Sequence, residues 1–394
     1  MRKAGHIGLF AIIVLLLFVA VSANAGEARD ITALCKISTR IGASTLKNAL
    51  DGKYATRFAS GTGERSAISV ALPSGEEAGG LYIKWFGQSV TIRIQVETDS
   101  GYETIAISNT PYLCDYIPLP EGVTAFRFLQ AEKVKGRMYI ADMRVFSRGE
   151  APDDVQRWEP SWPKADLLVI TTHPDDEVLF LGGTIPYYAH ELGMAVQVAC
   201  VVPATPERRL EMLDGLWHCG LRHYPAFGHF ADVFGAKMQD VQKRWGKNRL
   251  DRYMVQLYRA FQPEVVVTQD LRGEYGHGAH MAVADAASRC VKYAADPAYD
   301  KTSRTEFGVW QVKKLYIHLY EKNQILMNWR VPLDSFGGKT AFDIASEAFL
   351  FHVSQQKGIY SVEDSGPYNN ALFGLYATTV GEDTAGNDFF ENIH

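Results

Sequence analysis

The sequence predicts a two-part α/β protein: a parallel sheet flanked by helices, preceded by an antiparallel β-sandwich. Three observations carry this. From Asp166 onward, apolar strand-length runs alternate with helix-length amphipathic stretches, as parallel strands joined by helical crossovers do. From about Asp30 to Ser147, short runs alternate apolar and polar residues with a period of two, as half-buried antiparallel strands do. Between them, Gly149, Pro152, Asp153, Asp154, Pro160 and Pro163 discourage regular structure and mark a linker over 149–164.

The chain has 394 residues, room for two or three domains, with 47% hydrophobic and 22% charged residues, ordinary for a globular protein with a core. A net charge of -5 offers nothing to a nucleic-acid partner. Residues 1–25 read as a signal peptide: Arg2 and Lys3, an apolar run over 7–21, then the small-x-small site Ala23-Asn24-Ala25. The expected address is therefore secreted or periplasmic. No later run is apolar enough for a stable membrane insertion after cleavage. Export permits disulfides, and of the 5 cysteines Cys35 and Cys114, in one region, are the expected pair. Cys200, Cys219 and Cys290 carry no catalytic mark.

In the first part (30–148), alternation places strands at 67–72, 80–85, 91–96, 125–128 and 139–146. In the second part (165–394), strands are expected at 166–171, 195–202, 264–268 and 314–318. Helices are expected at 178–192, 206–219, 249–261, 277–295 and about 342–356, followed by a polar tail.

The chemistry gathers at two strand ends. Leu167-Leu168-Val169-Ile170-Thr171 runs into Thr172-His173-Pro174-Asp175-Asp176-Glu177, and the strand at 264–268 runs into Gln269-Asp270-Leu271-Arg272-Gly273-Glu274-Tyr275-Gly276-His277-Gly278-Ala279-His280. In open α/β sheets ligands bind at the carboxyl ends of strands. His277 and His280, three apart, share one face of a helix starting there. Two His and one Asp around zinc leave an open position for water, whose pKa falls to about 7. A carboxylate off the metal then serves as general base, and another His as oxyanion donor or acid to the leaving amine. A nucleotide-binding reading fails, because no Gly-x-Gly-x-x-Gly follows the first strand and the acids occupy the place of phosphates.

His173-Pro174-Asp175-Asp176-Glu177 with Gly182-Gly183, and Tyr275-Gly276-His277-Gly278-Ala279-His280 downstream, resemble the LmbE / PIG-L family of zinc-dependent de-N-acetylases, over roughly 165–390. The resemblance implies a Rossmann-like domain that hydrolyses N-acetyl groups of N-acetylglucosamine-type amides. It implies His173, Asp176 and His280 as zinc ligands, Asp175 as general base, His277 as partner of oxyanion and leaving group, and Tyr275 beside the same oxyanion. Arg208 and Glu211 match an Arg-x-x-Glu facing substrate, and Asp232 a sugar-hydroxyl ligand. One position departs from the pattern. Many relatives carry Asp beside the ligand histidine, whereas Gly278 and Ala279 stand there here, so His277 has no carboxylate neighbour in sequence. Glu177 reads as an acid at the helix start or behind the ligands rather than a catalyst, and Gly182-Gly183 as glycines that allow close helix–strand packing or lid access. His190, His218, His223, His229, His318 and His352 read as structural or surface, with a place in the pocket as the lesser alternative for His352, which precedes Ser354-Gln355.

In the first part, Asn48-Ala49-Leu50-Asp51-Gly52 and Ile140-Ala141-Asp142-Met143-Arg144-Val145-Phe146 resemble the first turn and last strand of discoidin-type, galactose-binding-like jelly rolls. That resemblance implies sugar binding and a structural calcium near the Asp51-Gly52 turn. The whole reads as a secreted N-acetyl amino-sugar hydrolase. The alternative is a non-catalytic glycan-binding protein with a degenerate second domain.

Overall fold

The computed structural model describes residues 26–131, 136–234, 237–356, 358 and 360–393; the expected signal peptide lies outside the described residues. In the first part the described strands are β1 (Lys36–Thr39), β2 (Phe58–Ala59), β3 (Ile68–Ala71), β4 (Ala78–Trp85), β5 (Ile92–Thr98), β6 (Gly101–Ser108), β7 (Cys114–Pro118), β8 (Ala125–Gln130) and β9 (Tyr139–Ser147), with a one-turn helix α1 (Ala43–Leu46) after β1. They form two antiparallel sheets, β1-β3-β8-β5-β6 and β2-β9-β4-β7. Alternation explains the pairing. Ile68 and Val70, Ile92 and Ile94, and Phe126 and Phe128 of one sheet share a core with Leu81, Ile83, Trp85 and Ile140 of the other. In β4 the opposite face is buried too, Tyr82 fully and Lys84 almost fully, because the second part of the chain covers it. At the Asp51-Gly52 turn, the Asp51 carboxylate accepts the Lys53 N–H and the Thr56 hydroxyl, which accounts for the turn by itself.

In the second part the strands are β10 (Leu167–Thr171), β11 (Val196–Cys200), β12 (Ala226–Phe227), β13 (Val265–Thr268), β14 (Lys314–His318), β15 (Gln324–Leu326) and β16 (Leu372–Thr378). The helices are α2 (Asp176–Leu179), α3 (Pro206–His218), α4 (Met238–Trp245), α5 (Lys247–Phe261), α6 (Gly278–Ala295), α7 (Lys301–Phe307) and α8 (Ala341–Phe349). The sheet order is β12-β11-β10-β13-β14-β16-β15. It is parallel from β12 to β14 and antiparallel beyond. β10 is buried along its whole length: Leu167 and Val169 face the core that contains α3 and α8, and Leu168 and Ile170 face the core that contains α5 and α6. From β10 the chain moves outward through β11 and β12, then returns to place β13 on β10's other side. The crevice above β10 and β13 is thus a topological switch point.

Three expectations are corrected. The helix expected over 178–192 is two pieces, α2 and a π-helical turn at Pro186–Glu191. Gly182, at φ +50, turns the chain between them, and Pro186 brings no N–H to a continuing helix. A Cβ at Gly182 would fall 2.6 Å from Asn370 Cγ, and one at Gly183 2.7 Å from Ala341 Cβ, so the glycines admit the C-terminal segment. The sheet is not wholly parallel, because β15 and β16 extend it from a stretch expected to hold one helix and a polar tail. That tail docks: Asp383 pairs with buried Lys314, Asp388 accepts the Tyr188 hydroxyl at 2.7 Å, and Phe389 is fully buried. Finally, Cys35 and Cys114 are free thiols. Cys35 Sγ points at Ile31 O and Cys114 Sγ at Gln156 Oε1, in different sheets' surroundings.

The two parts are clasped through α3. Lys84 of β4 pairs with Asp214 of α3 at 2.5 Å, the Tyr54 hydroxyl donates to the other Asp214 oxygen at 2.6 Å, and Gln156 also donates to Asp214. A cavity of about 530 Å³ opens beside this clasp, lined by Arg144, Trp217 and Phe351 among others, and it holds none of the strand-end residues. Among the described residues no helix is long and apolar enough to cross a membrane.

Candidate active site

β10 ends at Thr171, and the next residues swing over the sheet edge. Gln269, after β13, accepts the Thr172 N–H at 2.7 Å and so stitches the two strand-end loops together. His173, Asp176 and His280 then converge, with ligand-type atoms all within 4.8 Å of one another. His173 Nδ1 and His280 Nε2 face each other at 3.2 Å. One Asp176 oxygen lies 3.5 Å from the first nitrogen and the other 3.4 Å from the second. The three side chains are buried.

The donors fit a divalent cation. His280 Nδ1–H donates to Glu274 Oε2 at 2.7 Å, which leaves the Nε2 lone pair aimed into the cluster, the arrangement of a metal-ligating histidine backed by a carboxylate. Two imidazole nitrogens facing at that distance beside a carboxylate suit zinc, whose usual donors are these. The cluster also draws positive charge. Burial acts to lower the His173 pKa, but Asp176 and Asp232 outweigh it and hold the ring up at about 9. Burial acts to raise the Asp176 carboxyl, but His280 and His173 pull it well below the usual range.

Asp175 is buried beside the cluster and does not belong to it. Its main chain sits at φ 113, ψ -29, a conformation that L-residues adopt at a cost of roughly 1–3 kcal/mol and that clusters at functional sites. Burial, and then the Asp176 charge, push its carboxyl up to about 7 against Arg208 and His352. Arg208 Nη2 donates to Asp175 Oδ1 at 3.0 Å and to Pro174 O, so one carboxylate oxygen is anchored.

His277 caps α6: its Nδ1 accepts the Ala279 N–H at 3.2 Å. The neutral ring therefore carries its proton on Nε2. Burial and the charges of His280 and His173 lower its pKa to about 4. Tyr275, at φ 48 and 41% exposed, presents its ring 5.6 Å from that of His277. His173, Asp175, Asp176, Tyr275 and His277 line a cavity of about 190 Å³ together with Arg208, Asp232, Phe234, Gln355 and Tyr360. Asp232 Oδ1 lies 3.6 Å from His173 Nε2. Glu211 does not line the cavity: its carboxylate accepts the Ser354 N–H at 2.7 Å and hydroxyl at 2.6 Å.

One residue escaped the sequence reading. Glu274, fully buried, accepts from His280 and also from His318 Nδ1 at 2.7 Å. Burial would raise it, but those two hydrogen bonds hold its carboxyl at about 2. An acid within one short loop of His280 was the available signal. His352 lies behind Glu177 and does not line the cavity.

With this geometry in place, comparison with known proteins locates the segment. Residues 168–291 match the family model described as PIG-L: GlcNAc-PI de-N-acetylase. That segment is PIG-L-like. Over 179 residues the chain is 31% identical to 1D-myo-inositol 2-acetamido-2-deoxy-alpha-D-glucopyranoside deacetylase 1 of Catenulispora acidiphila, across 38% of this chain and 54% of that one. Over 177 residues it is 32% identical to deacetylase 2 of the same description from Saccharopolyspora erythraea, across 38% of this chain and 63% of that one. The chain thus spans less than two thirds of these curated relatives. Among solved structures, N,N'-diacetylchitobiose deacetylase from Pyrococcus horikoshii is similar at 18% identity and a TM-score of 0.37, over 48% of this chain and 71% of that one. The PIG-L-like segment contains both strand-end loops; the N-terminal sheets and β14 to β16 lie outside it.

Proposed function

We propose that this protein is a zinc-dependent hydrolase that removes N-acetyl groups from amino sugars or related glycan amides, working outside the cytoplasm. The parallel part of the sheet is read as a Rossmann-like catalytic domain over 165–394, and the N-terminal sheets as a discoidin-like jelly roll over 30–148. The observation that carries the proposal is the buried His173–Asp176–His280 cluster with Asp175 beside it at the switch point. The deacetylase descriptions of the matching relatives support the same reading.

His173, Asp176 and His280 would hold the ion, which supplies Lewis acidity toward the amide carbonyl and toward a water. The remaining work falls to the chain. Asp175, with Oδ1 held by Arg208, takes a proton from the attacking water on its other oxygen as the water oxygen bonds to the carbonyl carbon. His277 donates its Nε2–H to the oxygen that gains charge, since Nδ1 is occupied by the Ala279 N–H. Its low pKa keeps it a neutral donor. Asp175 then returns the proton to the nitrogen; the C–N bond breaks, the hydroxyl proton left from the water passes to the departing amine, and acetate and the protonated amine leave. The missing carboxylate neighbour of His277 fits this division, because no step asks His277 to be charged. Aromatic rings of Phe234, Tyr275 and Tyr360 around a small mouth suit a sugar ring, with Asp232 placed for a hydroxyl.

The test is metal content by elemental analysis, together with acetate release from a panel of N-acetylated glycans, with zinc stripped and restored. About one zinc per chain and zinc-dependent acetate release are expected. Bound zinc without turnover on the whole panel would instead favour the non-catalytic glycan-binding alternative.

A further inference from the structure

We infer that Glu177 and His352 form a buried positioning pair that fixes the main chain of Asp175, and with it the reach of its carboxylate. The inference rests on the hydrolase reading and adds to it residues that touch neither metal ligand atoms nor substrate.

Asp175 holds a left-handed conformation, φ 113, without being glycine. Such a conformation persists only where its surroundings over-determine it. Glu177 supplies the constraint: its Oε2 accepts the Asp175 N–H at 2.9 Å. Its other oxygen lies 3.0 Å from His352 Nε2, and both side chains are 0% exposed. An acid that merely capped a helix start would sit in solvent and need no partner. Here the carboxylate is wholly desolvated, and a histidine from the far end of the chain is brought in to face it. Burying a carboxylate with no polar partner is costly, so the N–H that His352 turns toward it is what allows Glu177 to reach the Asp175 N–H from inside the core.

The pair is itself braced. His352 opens the turn whose Ser354 N–H and hydroxyl donate to Glu211 of α3. One turn earlier on α3, Arg208 donates to Asp175 Oδ1 at 3.0 Å. Main chain and carboxylate of Asp175 are therefore held from two directions by one connected scaffold: α3, the 352–355 turn and Glu177. Loss of His352 leaves Glu177 buried and unpaired, frees it to turn, and releases the Asp175 N–H.

The test uses the full chain and a glycan amide that the wild type deacetylates. In His352→Asn the amide nitrogen falls short of the Nε2 position, whereas in His352→Gln it reaches that position and can donate to Glu177. The expected result is a loss of about 10²-fold in kcat for His352→Asn, with KM and bound zinc per chain unchanged, and recovery of most of it in His352→Gln. Equal kcat in wild type and His352→Asn overturns the inference. So does an equal loss in both variants, or a loss that tracks zinc content or thermal midpoint. If His352→Asn does not fold, Glu177→Gln decides: lower kcat at unchanged KM and zinc content supports the pair, and unchanged kcat overturns it. A wild type that binds zinc but releases no acetate overturns the hydrolase reading itself, an outcome distinct from an active wild type with indifferent variants.

Discussion

Replacing Glu274 by Gln is expected to weaken zinc binding by about 10- to 100-fold, or roughly 1.4–2.8 kcal/mol. Glu274 is 0% exposed and accepts 2.7 Å hydrogen bonds from the Nδ1 atoms of both His280 and His318, and a 3.0 Å bond from the Asp270 N–H. The amide of Gln keeps one acceptor oxygen and turns an NH2 toward the other histidine, so one N–H faces another donor. The surviving bond is neutral, and a charge-assisted bond exceeds a neutral one by about 1 kcal/mol. The loss falls on His280, whose Nε2 is aimed at the His173–Asp176–His280 cluster proposed to hold the ion. Competition with a chromogenic chelator measures the affinity directly. An unchanged affinity would refute the claim that Glu274 orients and polarises His280. The same variant has a pH signature. The folded carboxyl, at about 2, lies below its ordinary 4.5, so its stabilisation is complete above pH 4.5 and is lost as pH falls toward 2. The stability gap between wild type and Glu274→Gln should close over that window in acid-unfolding curves.

Further outcomes follow from the same geometry. Asp214→Ala should destabilise the chain by about 3–5 kcal/mol in urea unfolding, because Lys84, 7% exposed, would lose its counter-charge; Lys84→Met added to it should restore most of the loss. His277→Ala should lower kcat by about 10²–10³-fold, and His277→Gln, which still offers an N–H, should lower it less, in steady-state assays. Denatured without reductant, the protein should titrate five free thiols with a disulfide reagent, and a count of three would show a disulfide that contradicts this arrangement.

Much of this was legible in residue order. A β-branched run ending in His-Pro-Asp-Asp-Glu and a second loop with two histidines three apart brought His173, Asp176 and His280 together as expected, because strand ends and helix starts place side chains predictably. β14 came out at Lys314–His318 as its apolar run implied. The rest depended on contacts across the chain. Gly182 and Gly183 read as part of a helix until Asn370 and Ala341 are seen to need their space. β16 was hidden because its sequence, Leu372-Phe373-Gly374-Leu375-Tyr376-Ala377-Thr378, lacks clean alternation and gains its strand form by pairing with β14 and β15. Lys84 alternated as a solvent-facing residue and is buried only because α3 brings Asp214 to it. In residue order His318 and His352 look structural and Glu177 looks like a supporting acid of its motif; what makes each of them matter is a partner far away in sequence.

The central claim is that Asp175 moves the proton while its neighbour Asp176 holds the metal. Acetate release from an N-acetylated amino sugar by Asp175→Asn, measured with zinc content determined on the same sample, tests it most directly. The account predicts a full complement of zinc with turnover abolished or nearly so. Undiminished turnover, or an inactive protein that has also lost its zinc, would contradict the separation of roles between the two adjacent acids.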